Sequence, residues 1–185
     1  MTASSSDKVL EKIERASTRE YLPIIGPMRG KALAEAVRAV KPTRVLEVGT
    51  LVGYSTILIA RELGDDAEIV SIEIDEDEAA IARQNIREVD VKPEVQVLIG
   101  DASEIIPTLD GEFDLVFLDG DKHVYLQQLR LVESKLHKGS TVIADNVGYH
   151  YYGIRSYLDY VRSSGKYESR FIRVGGDGIE VSTKL

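Results

Sequence analysis

The sequence predicts an α/β protein with a doubly wound, mainly parallel sheet and helices on both of its faces. Short β-rich runs alternate with helix-period segments through the middle of the chain, the pattern of parallel strands joined by helical crossovers. Near the end the alternation stops. Two strand-like runs, Tyr167 to Val174 and Ile179 to Thr183, are joined by Gly175-Gly176-Asp177-Gly178. So short a link suits a hairpin, which makes this edge antiparallel. No repeat, low-complexity tract or linker interrupts the 185 residues, which suit one domain: an N-terminal helix within 1–22 and a core over 23–185.

The elements follow in order. Ser5 to Ala16 reads as an amphipathic helix, with Val9, Leu10 and Ile13 on one face and Ser5, Ser6 or Asp7 as its cap. It can pack on its own core or on a partner. Pro23 and Pro27 break the next stretch. Met28, Ala32, Leu33, Ala36, Val37 and Val40 recur at helical spacing until Lys41-Pro42. Strands are expected at 43–48, 68–73, 94–99, 113–118 and 140–144, and helices near 54–63, 77–89, 102–109 and 122–137. Ile154, Tyr157, Leu158 and Val161 mark a last helix.

Composition narrows the function. Charged residues make up 29% of the chain and hydrophobic ones 43%, ordinary for a globular protein. No apolar run approaches the ~20 residues that span a bilayer. Met1 to Asp7 lacks a basic-then-apolar leader, so a cytoplasmic location is expected. The absence of cysteine excludes disulfides, thiolate zinc sites and a cysteine nucleophile. The 23 basic and 31 acidic residues give a formal charge of −8, which disfavours nucleic acid as a partner.

Ligands of open α/β sheets sit beyond the carboxyl ends of the strands, so chemistry is sought there. The first strand runs into Glu47-Val48-Gly49-Thr50-Leu51-Val52-Gly53-Tyr54-Ser55. These glycines permit either a plain strand-to-helix turn or close backbone approach to a ligand. Glu73 ends the second strand about 20 residues further on, where a carboxylate suits a ribose diol. It also opens the acidic run Asp75-Glu76-Asp77-Glu78, which suits a helix N-terminus. Asp101 reads mainly as a helix cap.

The fourth strand ends in Asp119-Gly120-Asp121-Lys122 and the fifth in Asp145-Asn146. As neighbours, Asp119, Asp145 and Asn146 would form an oxygen-rich rim suited to Mg²⁺, Ca²⁺ or Mn²⁺. Caps and turn formers explain any one of them but fit the set poorly. Lys122 is either a solvated side chain or a base beside that rim. Tyr149-His150-Tyr151-Tyr152 reads equally as an aromatic pocket wall or as packing. No GxSxG elbow exists for a serine hydrolase, and no GxGxxG fingerprint for a nicotinamide dehydrogenase.

The motifs Glu47–Ser55, Ser71-Ile72-Glu73, Phe117–Lys122 with Tyr125, Ala144-Asp145-Asn146 and Gly176-Asp177-Gly178 occur in order. Together they resemble the cation-dependent O-methyltransferases of the catechol and caffeoyl-CoA type, from about Ile24 to the C-terminus. The resemblance implies a Rossmann-like, three-layer fold with a seven-stranded sheet whose last strand is antiparallel. It implies S-adenosylmethionine and Mg²⁺, or another divalent cation, as cofactors. Glu47, Gly49 and Ser55 would line the methionine side of the cofactor, Glu73 its ribose and Ala102 its adenine, with Ile25 and Asp119 also in contact. Asp119, Asp145 and Asn146 would hold the metal. Lys122 would be the general base, with Lys122, Asn146 and Glu180 near the acceptor's hydroxyls.

The implied acceptor is a small aromatic vicinal diol, and the resemblance accommodates a homodimer as well as a monomer. The catechol enzymes carry His-Trp where this chain has Gly120-Asp121, which is closer to the caffeoyl-CoA and microbial branch. The family's substrate-wall tryptophans are absent, since the chain has none. An alternative acceptor is a tRNA hydroxyuridine, for which Arg155, Arg162, Lys166, Arg170 and Arg173 would supply a local basic patch. A nucleoside-binding protein without catalysis is the non-enzymatic alternative.

Overall fold

The computed structural model describes residues 4–148 and 152–185. The N-terminal helix α1, Ser5–Glu20, runs one turn beyond the expected end, through the polar Ser17 to Glu20. Its cap is Ser4, whose hydroxyl accepts the Asp7 N–H while Asp7 reaches back to the Ser4 N–H, a reciprocal capping box. Val9, Leu10 and Ile13 bury against this chain's own core. The second helix, α2 (Gly26–Val40), carries Pro27 in its first turn, where the missing N–H costs nothing.

Alternation then follows as the sequence predicts: β1 (Arg44–Val48), α3 (Tyr54–Ala60), β2 (Glu68–Glu73), α4 (Glu76–Arg87), β3 (Glu94–Ile99) and α5 (Ala102–Ile105). After these come β4 (Phe113–Leu118), α6 (Tyr125–Val132), β5 (Leu136–Ala144), α7 (Arg155–Ser163), β6 (Tyr167–Val174) and β7 (Asp177–Lys184). The sheet has seven strands in the order β3-β2-β1-β4-β5-β7-β6. Only β7 runs antiparallel to its neighbours, slotting between β5 and β6. Val174 pairs with Asp177, so the hairpin loop is only Gly175-Gly176, two residues shorter than the expected link.

Pleat alternation divides the core. Val45, Leu115, Phe117 and Ile143 face α1, α2 and α3, while Leu46, Val116, Leu118 and Ala144 face α6 and α7. Strand order reverses direction of growth between β1 and β4, so a crevice opens at their carboxyl ends.

At the opposite end of the sheet, Asp114 ties three strands together. Its Oδ2 accepts the Thr43 N–H at 2.7 Å, the Thr43 hydroxyl at 2.8 Å and the Arg44 N–H at 2.8 Å. Its Oδ1 faces His137 Nε2 at 2.9 Å, and His137 Nδ1 faces the Lys138 carbonyl at 2.8 Å. Burial pushes the Asp114 carboxyl up, but these donors outweigh it and hold it down at about 2. Acceptors on both ring nitrogens, the Lys138 carbonyl foremost, raise His137 above 6.5.

The signs are opposite. The stability from Asp114 is present above about 3.8 and lost as pH falls toward about 2. That from His137 is present below about 6.5 and lost as pH rises through its folded value. A double-mutant cycle of Asp114→Asn and His137→Ala should give its largest coupling near pH 5 and smaller coupling at pH 2.5 and 9. Denaturant midpoints measure it, and a coupling independent of pH would remove the pair's protonation from the account.

Candidate active site

The glycine loop after β1 forms the floor of a cavity of about 330 Å³ at the sheet's reversal point. Gly49 has φ +97, and a Cβ there would lie 2.9 Å from the backbone of Asp119 and Gly120. The ends of β1 and β4 therefore meet with no room for a side chain. Ile25, Gly49, Ser55, Glu73, Ala102 and Asp119 all line this cavity.

Glu47 does not line it. Alternation along β1 turns Glu47 under α3, where it is fully buried and accepts hydroxyls from Ser55 at 2.6 Å, Thr56 at 2.5 Å and Ser71 at 2.6 Å. Burial raises its pKa and these donors oppose the rise. Where direct cofactor contact is expected of Glu47, the structure shows it fixing Ser55, which does face the cavity. Thr50 joins the same buried chain through Ser71 at 2.6 Å.

Glu73 is 6% exposed and held by the backbone: Oε2 accepts the Leu51 N–H at 2.7 Å and Oε1 the Asp75 N–H at 3.0 Å. Each oxygen keeps a lone pair for a further donor such as a ribose hydroxyl. Asp75 caps α4 through the Asp77 and Glu78 N–H groups, so the acidic stretch divides into one cavity-lining carboxylate, Glu73, and one helix start. Asp101 caps α5, as expected.

Beside the cavity, Asp119 and Asp145 end adjacent strands, and the Asp145 N–H bonds the Leu118 carbonyl at 3.0 Å. Burial and then the Asp145 charge raise the Asp119 carboxyl well above its ordinary range, with Lys122 opposing. Burial likewise lifts Asp145 to about 6, against the pull of Arg29. Asn146 sits at φ +55, and its amide Nδ2 donates to Asp177 Oδ2 at 3.0 Å, while the amide oxygen accepts no hydrogen bond among the described residues. Lys122 Nζ donates to the Gly120 carbonyl at 3.0 Å and lies 3.5 Å from Asp119 Oδ1.

This rim fits a hard divalent cation. Among the described residues, Asp145 Oδ1 is buried and accepts no hydrogen bond. One buried and one largely buried carboxylate that repel each other, with an amide oxygen, are donors that Mg²⁺ or Mn²⁺ accepts and zinc does not favour. Among the described residues no three His, Cys, Asp or Glu side chains cluster, so a cation here would need the amide oxygen beside the two carboxylates.

Two residues at the rim had no assigned role in the sequence reading. Arg29, on the first turn of α2, places Nε 3.0 Å from Asp145 Oδ1 and donates to Oδ2 at 3.2 Å. Asp177, in the hairpin, accepts Gly148 and Gly178 N–H groups as well as Asn146. Its motif was visible, but the contact spans 31 residues.

Glu180 is a second correction. Alternation along β7 puts it on the α7 face, opposite Ala144 and Phe171 in register. It is fully buried, and both oxygens accept from Arg162, at 2.7 and 2.6 Å. The acid that this hairpin brings to the rim is Asp177. The run Tyr149-His150-Tyr151-Tyr152 falls outside the described side chains.

The comparisons agree with this architecture. A family model described as O-methyltransferase matches residues 1–156. Catechol O-methyltransferase B of Danio rerio is 37% identical over 180 residues, covering 90% of this chain and 67% of that one. The chain spans 55–68% of the length of the curated relatives it matches. The crystal structure of an O-methyltransferase from Bacillus cereus in complex with SAH superposes with TM-score 0.86 at 26% identity, covering 96% of this chain and 91% of that one. One from Streptomyces achromogenes in complex with SAM, involved in tomaymycin synthesis, gives 0.85 at 26% identity, with 100% and 91% covered. On fold, motif order and identity alike, the chain belongs to the O-methyltransferase family.

Proposed function

We propose that this chain is an S-adenosylmethionine-dependent, divalent-cation-dependent O-methyltransferase acting on a vicinal-diol small molecule of the catechol or caffeoyl type. The observation that carries the reading is that the buried Asp145 and the largely buried Asp119 adjoin at the cavity walled by Gly49, Glu73 and Ala102. When bound, S-adenosylmethionine supplies an activated methyl group, and the cation holds adjacent oxygens and lowers a hydroxyl pKa.

The chain's own residues do the rest. Glu73 accepts from a ribose diol and repels a 2′-phosphate. Ser55, fixed by Glu47, and the Gly49 backbone border the cavity below it. Ala102 offers little bulk against a planar base. Asp119, Asp145 and Asn146 hold the cation. Lys122 Nζ, tethered by the Gly120 carbonyl, takes the proton from the acceptor hydroxyl. Such positioning is itself a large part of the acceleration expected for a single displacement.

Three of the five basic residues considered for tRNA face acids: Arg162 pairs with buried Glu180, Lys166 lies 3.0 Å from Glu133, and Arg155 lies 3.8 Å from Asp159. Among the described residues, no helix is long and apolar enough to cross a membrane. A cytoplasmic setting belongs to the same reading.

The test is transfer from labelled S-adenosylmethionine to catechols, caffeoyl esters and bulk tRNA, with Mg²⁺, with EDTA, and with Mg²⁺ restored. Transfer to a diol that stops with EDTA and returns with Mg²⁺ is the expected result. Salt-sensitive transfer to tRNA alone would replace the acceptor, and failure to bind the cofactor would sink the reading.

A further inference from the structure

We infer that Arg29 is the resident counter-ion of the rim: it occupies Asp145 when no divalent cation is bound, and a cation must compete with it. The inference rests on reading Asp119, Asp145 and Asn146 as the cation's ligands.

The position of Arg29 is otherwise unfavourable. It lies in the first turn of α2, where the macrodipole disfavours positive charge and where no acid in that turn compensates. Its guanidinium is nonetheless drawn inward, leaving the side chain only 23% exposed. The attraction comes from across the fold. Nε lies 3.0 Å from Asp145 Oδ1, and Nη1 lies 3.9 Å from Asp177 Oδ2. Asp177 in turn holds the Asn146 amide.

Arg29 thus touches one expected ligand and, through Asp177, adjoins a second. Its fit is incomplete. The Nε–H hydrogen bond goes to Asp145 Oδ2, and Oδ1 accepts none among the described residues. A side chain whose Nε lies 3.0 and 3.2 Å from the two Asp145 oxygens yet hydrogen-bonds only one of them is a counter-ion that a better ligand can displace. A dication bound to Asp145 would also be repelled by a guanidinium at contact distance.

The test measures Mn²⁺ binding to the full chain at pH 8, by water-proton relaxation, without cofactor or acceptor. Arg29→Gln should bind Mn²⁺ at least tenfold more tightly than wild type, and Arg29→Lys, which keeps the charge, should stay nearer wild type. Unchanged or weaker binding by Arg29→Gln overturns the inference, because it would make Arg29 a bystander or an aid that orients Asp145.

A second measurement needs no variant and covers the case in which Arg29→Gln does not fold. The Nε–H resonance of Arg29 in ¹⁵N-labelled wild type should lose its protection from water as Mg²⁺ is added. Retained protection with Mg²⁺ bound also overturns the inference. If neither wild type nor Arg29→Gln binds Mn²⁺ at millimolar concentration, the cation-site reading itself fails and takes this one with it. Cation binding that Asp145→Asn abolishes, together with an unchanged Arg29→Gln affinity, would remove the competition alone.

Discussion

Lys122→Ala should lower kcat by about 10²–10⁴-fold, the range that positioned general bases contribute, while leaving the cofactor Kd within a few-fold of wild type. The asymmetry follows from placement. Lys122 lies beside the Asp119 carboxylate, 3.5 Å away, and does not line the cavity that Gly49 and Glu73 wall. Lys122→Arg should not rescue turnover, because a guanidinium does not give up its proton in a protein. Single-turnover rates with calorimetric cofactor binding separate the two effects. A Lys122→Ala enzyme that turns over at the wild-type rate would take the base role away from this residue.

Gly49→Ala should both destabilise the protein and cut cofactor affinity at least tenfold. A methyl group at this position meets backbone atoms of Asp119 and Gly120 at 2.9 Å, and neither partner is a side chain that can swing aside. Gly139→Ala is the matched control. Its φ is +94 and nothing lies within 4 Å of the added Cβ. Both variants carry a left-handed backbone cost of about 1–2 kcal/mol. Only Gly49→Ala adds overpacking, about 1–3 kcal/mol more. Equal losses of stability in the two would mean that strain, not collision, defines the position. Undiminished cofactor affinity in Gly49→Ala would show that the ligand does not depend on this close approach.

Much of the architecture was legible because each strand is a short buried run with a punctuated end. Residues 68–73, 94–99 and 113–118 match their strands end for end. The fifth strand was expected at 140–144 and begins instead at Leu136. His137, Lys138 and Gly139 carry no alternating apolar signal, and a register shift opposite Phe113 and Leu115 lets the strand start early. The helix expected over 122–137 is correspondingly shorter, because tight turns flank α6 on both sides.

At the site, legibility followed distance along the chain. Gly49, Glu73 and Asp119 announce themselves by standing at or directly after strand ends. The Arg29–Asp145 contact joins residues 116 apart and leaves no local trace. Glu180 was misplaced for a related reason: nearness to the hairpin suggested the rim, but the pleat of β7 decides which way a side chain points. Glu47 illustrates the same rule on β1, where one residue of phase separates the cavity from the layer beneath it.

Tyr54 joins the N-terminal helix to the cavity. It lines the cavity, and its hydroxyl donates to Glu14 of α1 at 2.5 Å, a bond that with burial raises the phenol's pKa. The N-terminal helix is therefore a buttress for the pocket wall as well as a cover for the core. Fusions or truncations that unseat α1 would be felt at the ligand, from a segment that contributes no residue to the cavity itself.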